Sequence, residues 1–234
     1  MIDLHCHLMP YVDDGAHDLE ESEALLEMEA AQGVKAVCVT PHLRQGMFET
    51  PDAALRRQYE RLCGIADSVG IRLYLSREYH YDSLFREKLR EGSLLPIGEK
   101  TILTEFSGAH SAGQMLSAVK EIRSYGYMPL IAHVERYPAA DIETAEALRG
   151  EGALIQLNAD AVLGHEGRYL KKRAWALLKA GLADVIATDA HDTEQRPPRL
   201  RECYTKLAKK TGIETADRLL KLTPKKILEG QPED

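Results

Sequence analysis

The sequence predicts an α/β protein, a parallel barrel of about seven strand–helix units. Three observations predict it. Short apolar runs alternate with helix-like amphipathic segments along the whole chain, and strict alternation is the pattern of parallel strands joined by crossover helices. About seven such units suit a closed or nearly closed barrel. Histidines and carboxylates also stand at the ends of nearly every apolar run, where a barrel keeps its functional loops. An open, doubly wound sheet would instead gather its site at one switch point.

The runs near 1–5, 34–40, 71–77, 101–106, 128–132, 153–158 and 183–188 read as strands. The segments near 19–32, 52–68, 81–91, 112–125, 140–150, 166–180 and 195–211 read as helices. The first run carries His5 and His7. Residues two apart in a strand share a side, so the two imidazoles face one way and Cys6 packs the other way. Next come Asp13 and Asp14 before Gly15, which is also good turn chemistry. Nearness to the two histidines makes Asp14 a candidate ligand, and a solvated acidic turn is the alternative. His17 belongs to the start of the first helix, which has acids near its beginning and Gly33 at its end.

The second run ends at His42, with Arg44 two residues on. The next helix is expected to start with Thr50 as N-cap and Pro51 as its first residue, and "LTPKKILEG" repeats the pattern with Thr223 and Pro224. Glu78 and Glu105 end the third and fourth runs. A carboxylate in such a place is costly unless paired or coordinated. A metal or a nearby lysine or arginine would meet that demand. His80 is a weaker neighbour. "MPLIAHVERYP" supplies His133 and Arg136, and "ADVIATDAHDTEQRPP" supplies Asp189, His191 and Arg196. His110 and His165 fall outside the pattern. The last residues, "GQPED", read as a frayed end.

Totals narrow the class. Hydrophobic residues are 44% and charged residues 29% of 234, enough for one large domain spanning 1–234 with a substantial core. The net charge of −7 and the lack of a basic run argue against nucleic acid as partner. No apolar stretch is long enough for a membrane span, and no signal-peptide pattern begins the chain, so a cytoplasmic location is expected. None of the four cysteines forms a C-x-x-C pair, which excludes a zinc ribbon or thioredoxin motif. No Cys-x5-Arg loop of a cysteine-dependent phosphatase is expected: Cys203 leads to Lys209, and Cys63 leads to no arginine. Mixed nitrogen and oxygen ligands without thiolate suit manganese, iron or zinc, and the supply is enough for two or three ions. Beside such ions Arg44 could hold a phosphate oxygen, and a solvated loop arginine is the alternative.

An N-terminal H-x-H, a lone histidine after the second strand, two glutamates, a histidine and a final D-x-H resemble the PHP (polymerase and histidinol phosphatase) superfamily. "DDGAHDLEES", "PHLRQGMFETP", "LTEF", "IAHVERYP" and "TDAHDTEQRPP" resemble its bacterial capsule-associated branch, the CpsB/YwqE-type protein-tyrosine phosphatases. The likeness runs over essentially the whole chain. It implies a distorted (β/α)7 TIM-like barrel with three metal ions, often manganese or iron. It carries ligand roles onto His5, His7, Asp14, His42, Glu78, Glu105, His133, Asp189 and His191, and phosphate-binding roles onto Arg136 and Arg196. The substrate it implies is phosphotyrosine on a partner kinase that regulates capsular or exopolysaccharide synthesis, hydrolysed by metal-activated hydroxide. Cys6 departs from the branch, which often has serine there, and so do Arg77 and His80, where apolar neighbours are expected. Two other functions fit the same residues: a phosphoesterase for a small monoester such as histidinol phosphate, and a catalytically silent, metal-stabilised scaffold that binds a kinase. The oligomeric state is not legible.

Overall fold

The computed structural model describes residues 1–230. Its first half runs β1 (Ile2–Cys6), α1 (Leu19–Ala31), β2 (Ala36–Val39), β3 (His42–Leu43), α2 (Asp52–Ser68), β4 (Arg72–Leu75), β5 (Glu78–His80), α3 (Ser83–Glu91), β6 (Thr101–Glu105) and α4 (Ala112–Ser124). The second half runs β7 (Met128–Ile131), a 3-10 turn (Val134–Arg136), α5 (Ile142–Gly150), β8 (Leu154–Asn158), α6 (Ala159–Leu163), α7 (Arg168–Lys179), β9 (Val185–Ala187) and α8 (Leu200–Thr211). It closes with α9 (Ile213–Asp217), a π-helical stretch (Arg218–Leu222) and α10 (Thr223–Glu229). The expected frayed end beyond Gly230 lies outside the described residues.

The strands form one ring. β1, β2 and β4 make a three-stranded parallel sheet, and β3, β5, β6, β7, β8 and β9 make a six-stranded one. β3 directly continues β2, and β5 continues β4, so the two sheets share two broken strands. The breaks fall at Thr40-Pro41 and Ser76-Arg77. Proline has no N–H to give a ladder. Thr40 N–H instead donates to Cys6 O (2.9 Å), Ser76 N–H to Val39 O (3.0 Å) and Glu78 N–H to Thr40 O (3.3 Å), so the connection survives the break. The ring closes where Asp189 N–H donates to His5 O and His7 N–H to Ala190 O, both at 2.8 Å. Seven strand positions in sequential order result, as expected, although two of the seven runs are each split.

The helices begin where side chains take up their free N–H groups. Asp18 caps α1, Asp82 caps α3 and Asp141 caps α5, while Ser111 and Gln114 form a capping box on α4. Two expected caps fail. Pro51 is the N-cap of α2, and Thr50 spends its hydroxyl on Val12 O instead. Thr223 is already helical, because the π-helical stretch runs straight into α10. α6 and α9 are short helices absent from the expected set, whereas α10 forms where "LTPKKILEG" signalled a helix start.

Two apolar layers hold the ring. Val37, Val39, Ile131, Ile155, Leu157 and Ile186 of the strands pack with Leu25, Leu26, Leu62, Val119 and Leu148 of the surrounding helices. Leu4, Cys38, Leu103, Leu130 and Val185, from five strands, pack with Ile227 and Leu228 of α10. α10 therefore plugs the end of the barrel where the strands begin. A Cβ at Gly98, which has φ +62°, would lie 2.1 Å from Ile227 O, so this closure requires glycine. The opposite end, where the strands finish, is left for polar groups.

Candidate metal centre

His5, at the end of β1, and His7, just beyond it, bring their Nε2 atoms to 3.1 Å. Both are fully buried. Glu78 Oε2 lies 3.2 Å from His5 Nε2, 3.3 Å from His7 Nε2 and 3.0 Å from His42 Nδ1. Asp189 Oδ1 lies 3.4 Å from His5 Nε2, 3.5 Å from His7 Nε2 and 3.6 Å from His191 Nδ1. Asp14 Oδ1 approaches His42 Nε2 at 3.5 Å and His191 Nε2 at 3.8 Å. Three overlapping groups emerge: His7, Asp14, His42 and His191; His5, His7, Glu78 and Asp189; and His42, Glu78 and Glu105. His133 stands beside the last, with Nε2 3.0 Å from Glu78 Oε1 and 3.9 Å from Glu105 Oε1.

These spacings fit divalent ions. Ligand atoms about 2.1 Å from one ion lie about 3.0 Å apart in an octahedron and about 3.4 Å apart in a tetrahedron. Most of the separations above fall in that band. His42 Nδ1, Glu78 Oε2 and His191 Nε2 are moreover buried without any hydrogen-bond partner. A buried polar atom left so is costly, and cations in two adjoining groups satisfy them: one beside His191 and Asp14, one beside His42 Nδ1 and Glu78 Oε2. Glu78, His7 and His42 each belong to two groups; the carboxylate of Glu78 can join neighbouring ions, whereas His7, its Nδ1–H given to Asp13, has one free lone pair and serves one.

The surrounding residues fix which ring nitrogen faces inward. The Gln156 side-chain carbonyl takes His5 Nδ1–H at 2.9 Å, the Asp13 carboxylate takes His7 Nδ1–H at 2.7 Å, and the Asp189 backbone carbonyl takes His191 Nδ1–H at 2.9 Å. Each leaves Nε2 unprotonated for a metal, as ligand histidines require. Asp13 also accepts the backbone N–H of His42 (2.9 Å), which ties the first loop to the second. Gly15 packs so closely on His7 that a Cβ would meet its carbonyl oxygen at 2.1 Å. The "DDG" turn thus divides its work: Asp13 orients, Asp14 faces the centre, and Gly15 allows the approach. β8 supplies no candidate ligand, yet Gln156 Nε2–H donates to Asn158 Oδ1, and Asn158 Nδ2–H to Asp189 Oδ2, both at 2.8 Å. His5 and Asp189 are therefore linked through β8. His80 Nδ1 sits 3.0 Å from Glu105 Oε2, and Tyr137 OH lies 3.1 Å from His133 Nδ1.

Asp189 and His191 reach the centre from beyond the end of their strand. β9 ends at Ala187, and Asp189 turns back at φ +54°. His133 has φ +33°. Side chains other than glycine rarely hold positive φ, and such strain collects at functional sites.

The charges of the site are interdependent. Burial opposes the charge of Asp189, but His5, Arg136 and Arg196 outweigh it and hold this carboxyl well below its usual range. Glu78 is likewise held down against burial by His5 and His42. Burial also opposes protonation of His7, yet Asp13 and Glu78 raise it to about 10, while burial and the charge on His7 push His191 down to about 2. Without a bound cation, His5 and His7 thus provide the positive charge that the carboxylates demand.

Arg136 and Arg196 flank the same centre. Their guanidinium groups reach Asp189 Oδ2 at 2.9 and 2.7 Å, turning its Oδ1 toward the histidines. Arg136 also pairs with Glu166, a partner with no signal in the sequence. The metal cleft, about 210 Å³, includes Arg44 and both of these arginines on its wall. A second cleft of about 390 Å³ meets it at Arg136, Asp189 and Arg196, and the exposed His165 lines its rim. His110 packs instead against Phe106 and Tyr81. Arg77 is buried against Asp52 (2.8 Å) and tied to Thr50 O, which anchors the segment after His42. Cys38 and Arg44 do stand at the Cys-x5-Arg spacing, contrary to expectation. Cys38, however, is fully buried in β2 and burial pushes its thiol up, so it offers no nucleophile.

The family model of capsular polysaccharide synthesis proteins, CpsB/CapC, matches residues 1–229. A tyrosine-protein phosphatase CpsB of Streptococcus pneumoniae is 34% identical over 99% of both chains. A solved structure from work on YwqE of Bacillus subtilis and CpsB of Streptococcus pneumoniae, described as metal-dependent tyrosine phosphatases, superposes with a TM-score of 0.91. It has 27% identity and covers 100% of this chain and 96% of the other. A histidinol phosphate phosphatase of Lactococcus lactis superposes with a TM-score of 0.59 at 14% identity, covering 94% of each chain, and shares the fold alone.

Proposed function

The chain belongs to the CpsB/CapC family, and from that premise we propose that it is a metal-dependent protein-tyrosine phosphatase. The observation that carries the reading is the overlap of three ligand groups on Glu78, His7 and His42, beside two arginines with guanidinium groups at the same carboxylate. The ligands we assign are His5, His7, Asp14, His42, Glu78, Glu105, His133, Asp189 and His191. They suit two or three divalent ions, manganese foremost. Such ions supply Lewis-acid polarisation of phosphoryl oxygens and hydroxide at neutral pH.

The chain's own residues do the rest. Arg136 and Arg196 clamp the non-bridging oxygens and balance the charge that develops as the phosphate ester breaks. Arg44 adds a third cation on the wall. Asp13 and Gln156 hold His7 and His5 in the ligating tautomer throughout. The substrate is a phosphotyrosine-bearing protein, and the family's link to capsule synthesis points to a bacterial tyrosine kinase acting in the cytoplasm. None of the described helices is long and apolar enough to cross a membrane.

The test is phosphate release from a phosphotyrosyl peptide and from histidinol phosphate, with manganese and with chelator. Chelator-sensitive release favouring the peptide is expected. Release from histidinol phosphate alone overturns the substrate, and no release with metal bound overturns the enzyme.

A further inference from the structure

The wall of the metal cleft is almost entirely ionisable. It is lined by Asp14, His42, Arg44, Glu78, Glu105, His133, Arg136, Asp189, His191 and Arg196, with two apolar exceptions, Met47 and Phe48. These two sit together on a small hairpin that follows His42. Arg44 and Phe48 exchange backbone hydrogen bonds of 2.9 Å in both directions. Gly46, at φ +74°, makes the turn. The hairpin is fixed at its base: the Phe48 ring stacks on His42 with 5.4 Å between centroids and 12° between planes. Met47 at the tip is 59% exposed.

Two features of this arrangement have no structural explanation. An exposed methionine next to buried charge gains nothing from folding, because its surface stays in water. A phenylalanine with one face on His42 and its side open to a charged cleft is also only half used. Both make sense if the cleft receives an apolar group. Arg136 and Arg196 would hold phosphate oxygens across the cleft, so the ester's organic group must leave in some direction. The polar walls offer it no contact beyond water, and the hairpin offers a flat ring and a flexible thioether. Methionine suits such a surface because it adapts and binds aromatic edges favourably. Aromatic rings pack against one another with a preference beyond area alone.

We propose that the Met47–Phe48 hairpin tip is the element that recognises the aryl group of the substrate, and so selects phosphotyrosine over phosphoserine and small alkyl phosphates. This rests on the phosphatase reading above and names what gives that activity its selectivity. A seryl phosphate places its phosphorus too near its own backbone to lay an apolar group on the hairpin. A tyrosyl phosphate has a six-membered ring between the two.

The experiment compares kcat/KM for a phosphotyrosyl and a phosphoseryl peptide of identical flanking sequence, in the manganese-loaded enzyme. The readout is the ratio of the two, which does not respond to a uniform loss of metal or of folded protein. Phe48→Ala is expected to lower the ratio about tenfold and Met47→Ala about threefold, mainly through KM for the tyrosyl peptide. Phe48→Tyr, which keeps a flat ring, should retain it. Met47 is exposed, so Met47→Ala keeps the test sound even if removing the ring from His42 disturbs that residue. A ratio unchanged in both alanine variants, or equal losses on both peptides, overturns the assignment while leaving the phosphatase reading intact. A wild-type enzyme with no preference for the tyrosyl peptide overturns both.

Discussion

Glu78 and Asp189 are as deeply buried as Asp3 and Glu29, yet the two pairs meet burial in opposite ways. Around Glu78 and Asp189 stand five histidines and two arginines, and both carboxyls are held ionised. Asp3 lies two residues before His5. It accepts His5 N–H (3.3 Å) and Thr188 N–H (3.0 Å), and the Thr188 hydroxyl as well. Its other neighbour is Glu29 of α1, and no donor reaches either oxygen of Glu29. Burial, then each other's charge, drives Glu29 well above the usual carboxylate range, and burial raises Asp3 too. Glu29 therefore keeps its proton and donates it to Asp3. The first pair stays charged because cations outweigh its burial; at the second only the N-terminal ammonium of Met1 opposes burial, and it is outweighed. Buried carboxylates do not mark a metal site by themselves. Convergent imidazoles distinguish the two.

Glu78→Gln breaks the charged pair most severely. It removes the carboxylate common to two ligand groups, so metal content measured by elemental analysis should fall and turnover should drop by roughly 10³-fold or more. Full metal content would remove Glu78 from the ligand set. Arg136→Ala probes the clamp without removing a ligand: turnover on phosphotyrosyl peptide should fall roughly 10²-fold with metal content retained. Unchanged turnover would take Arg136 out of the clamp.

The neutral pair gives the smaller effect, and in stability rather than activity. Glu29→Ala strands Asp3 and leaves a cavity, at a cost of about 2–4 kcal/mol in denaturant unfolding. Glu29→Gln keeps a donor and should cost about 1 kcal/mol or less. Equal costs would mean that Glu29 is ionised. The pairs also differ in the sign of their pH dependence. A carboxyl raised on folding holds its proton more tightly in the folded state, so its contribution is lost as pH rises above the unfolded value of about 4.3. A depressed carboxyl loses its contribution as pH falls through the folded value. In chelator, Glu29→Gln should flatten the alkaline limb of the stability profile and leave the acid limb, where Glu78 and Asp189 act.

The alternation of apolar runs and helical segments determined the barrel, because period and length are local properties of a chain. The candidate ligands were legible for the same reason: a histidine or glutamate at the end of an apolar run conflicts with its surroundings and announces a partner. The division of labour within the "DDG" turn was not legible, since Asp13 and Asp14 are chemically alike until the fold points one at His7 and the other at the cleft. Nor were Gln156, Asn158 and Glu166, which are unremarkable polar residues until β8 and the α6–α7 connection bring them beside His5, Asp189 and Arg136. Glu29 looked like one acid of an amphipathic helix. The sequence by itself marked the candidate metal ligands and the barrel that gathers them at one end. Only the tertiary structure decided which nitrogen each histidine presents and which buried acids stay charged, because those choices depend on atoms within about 4 Å that are contributed by distant parts of the chain.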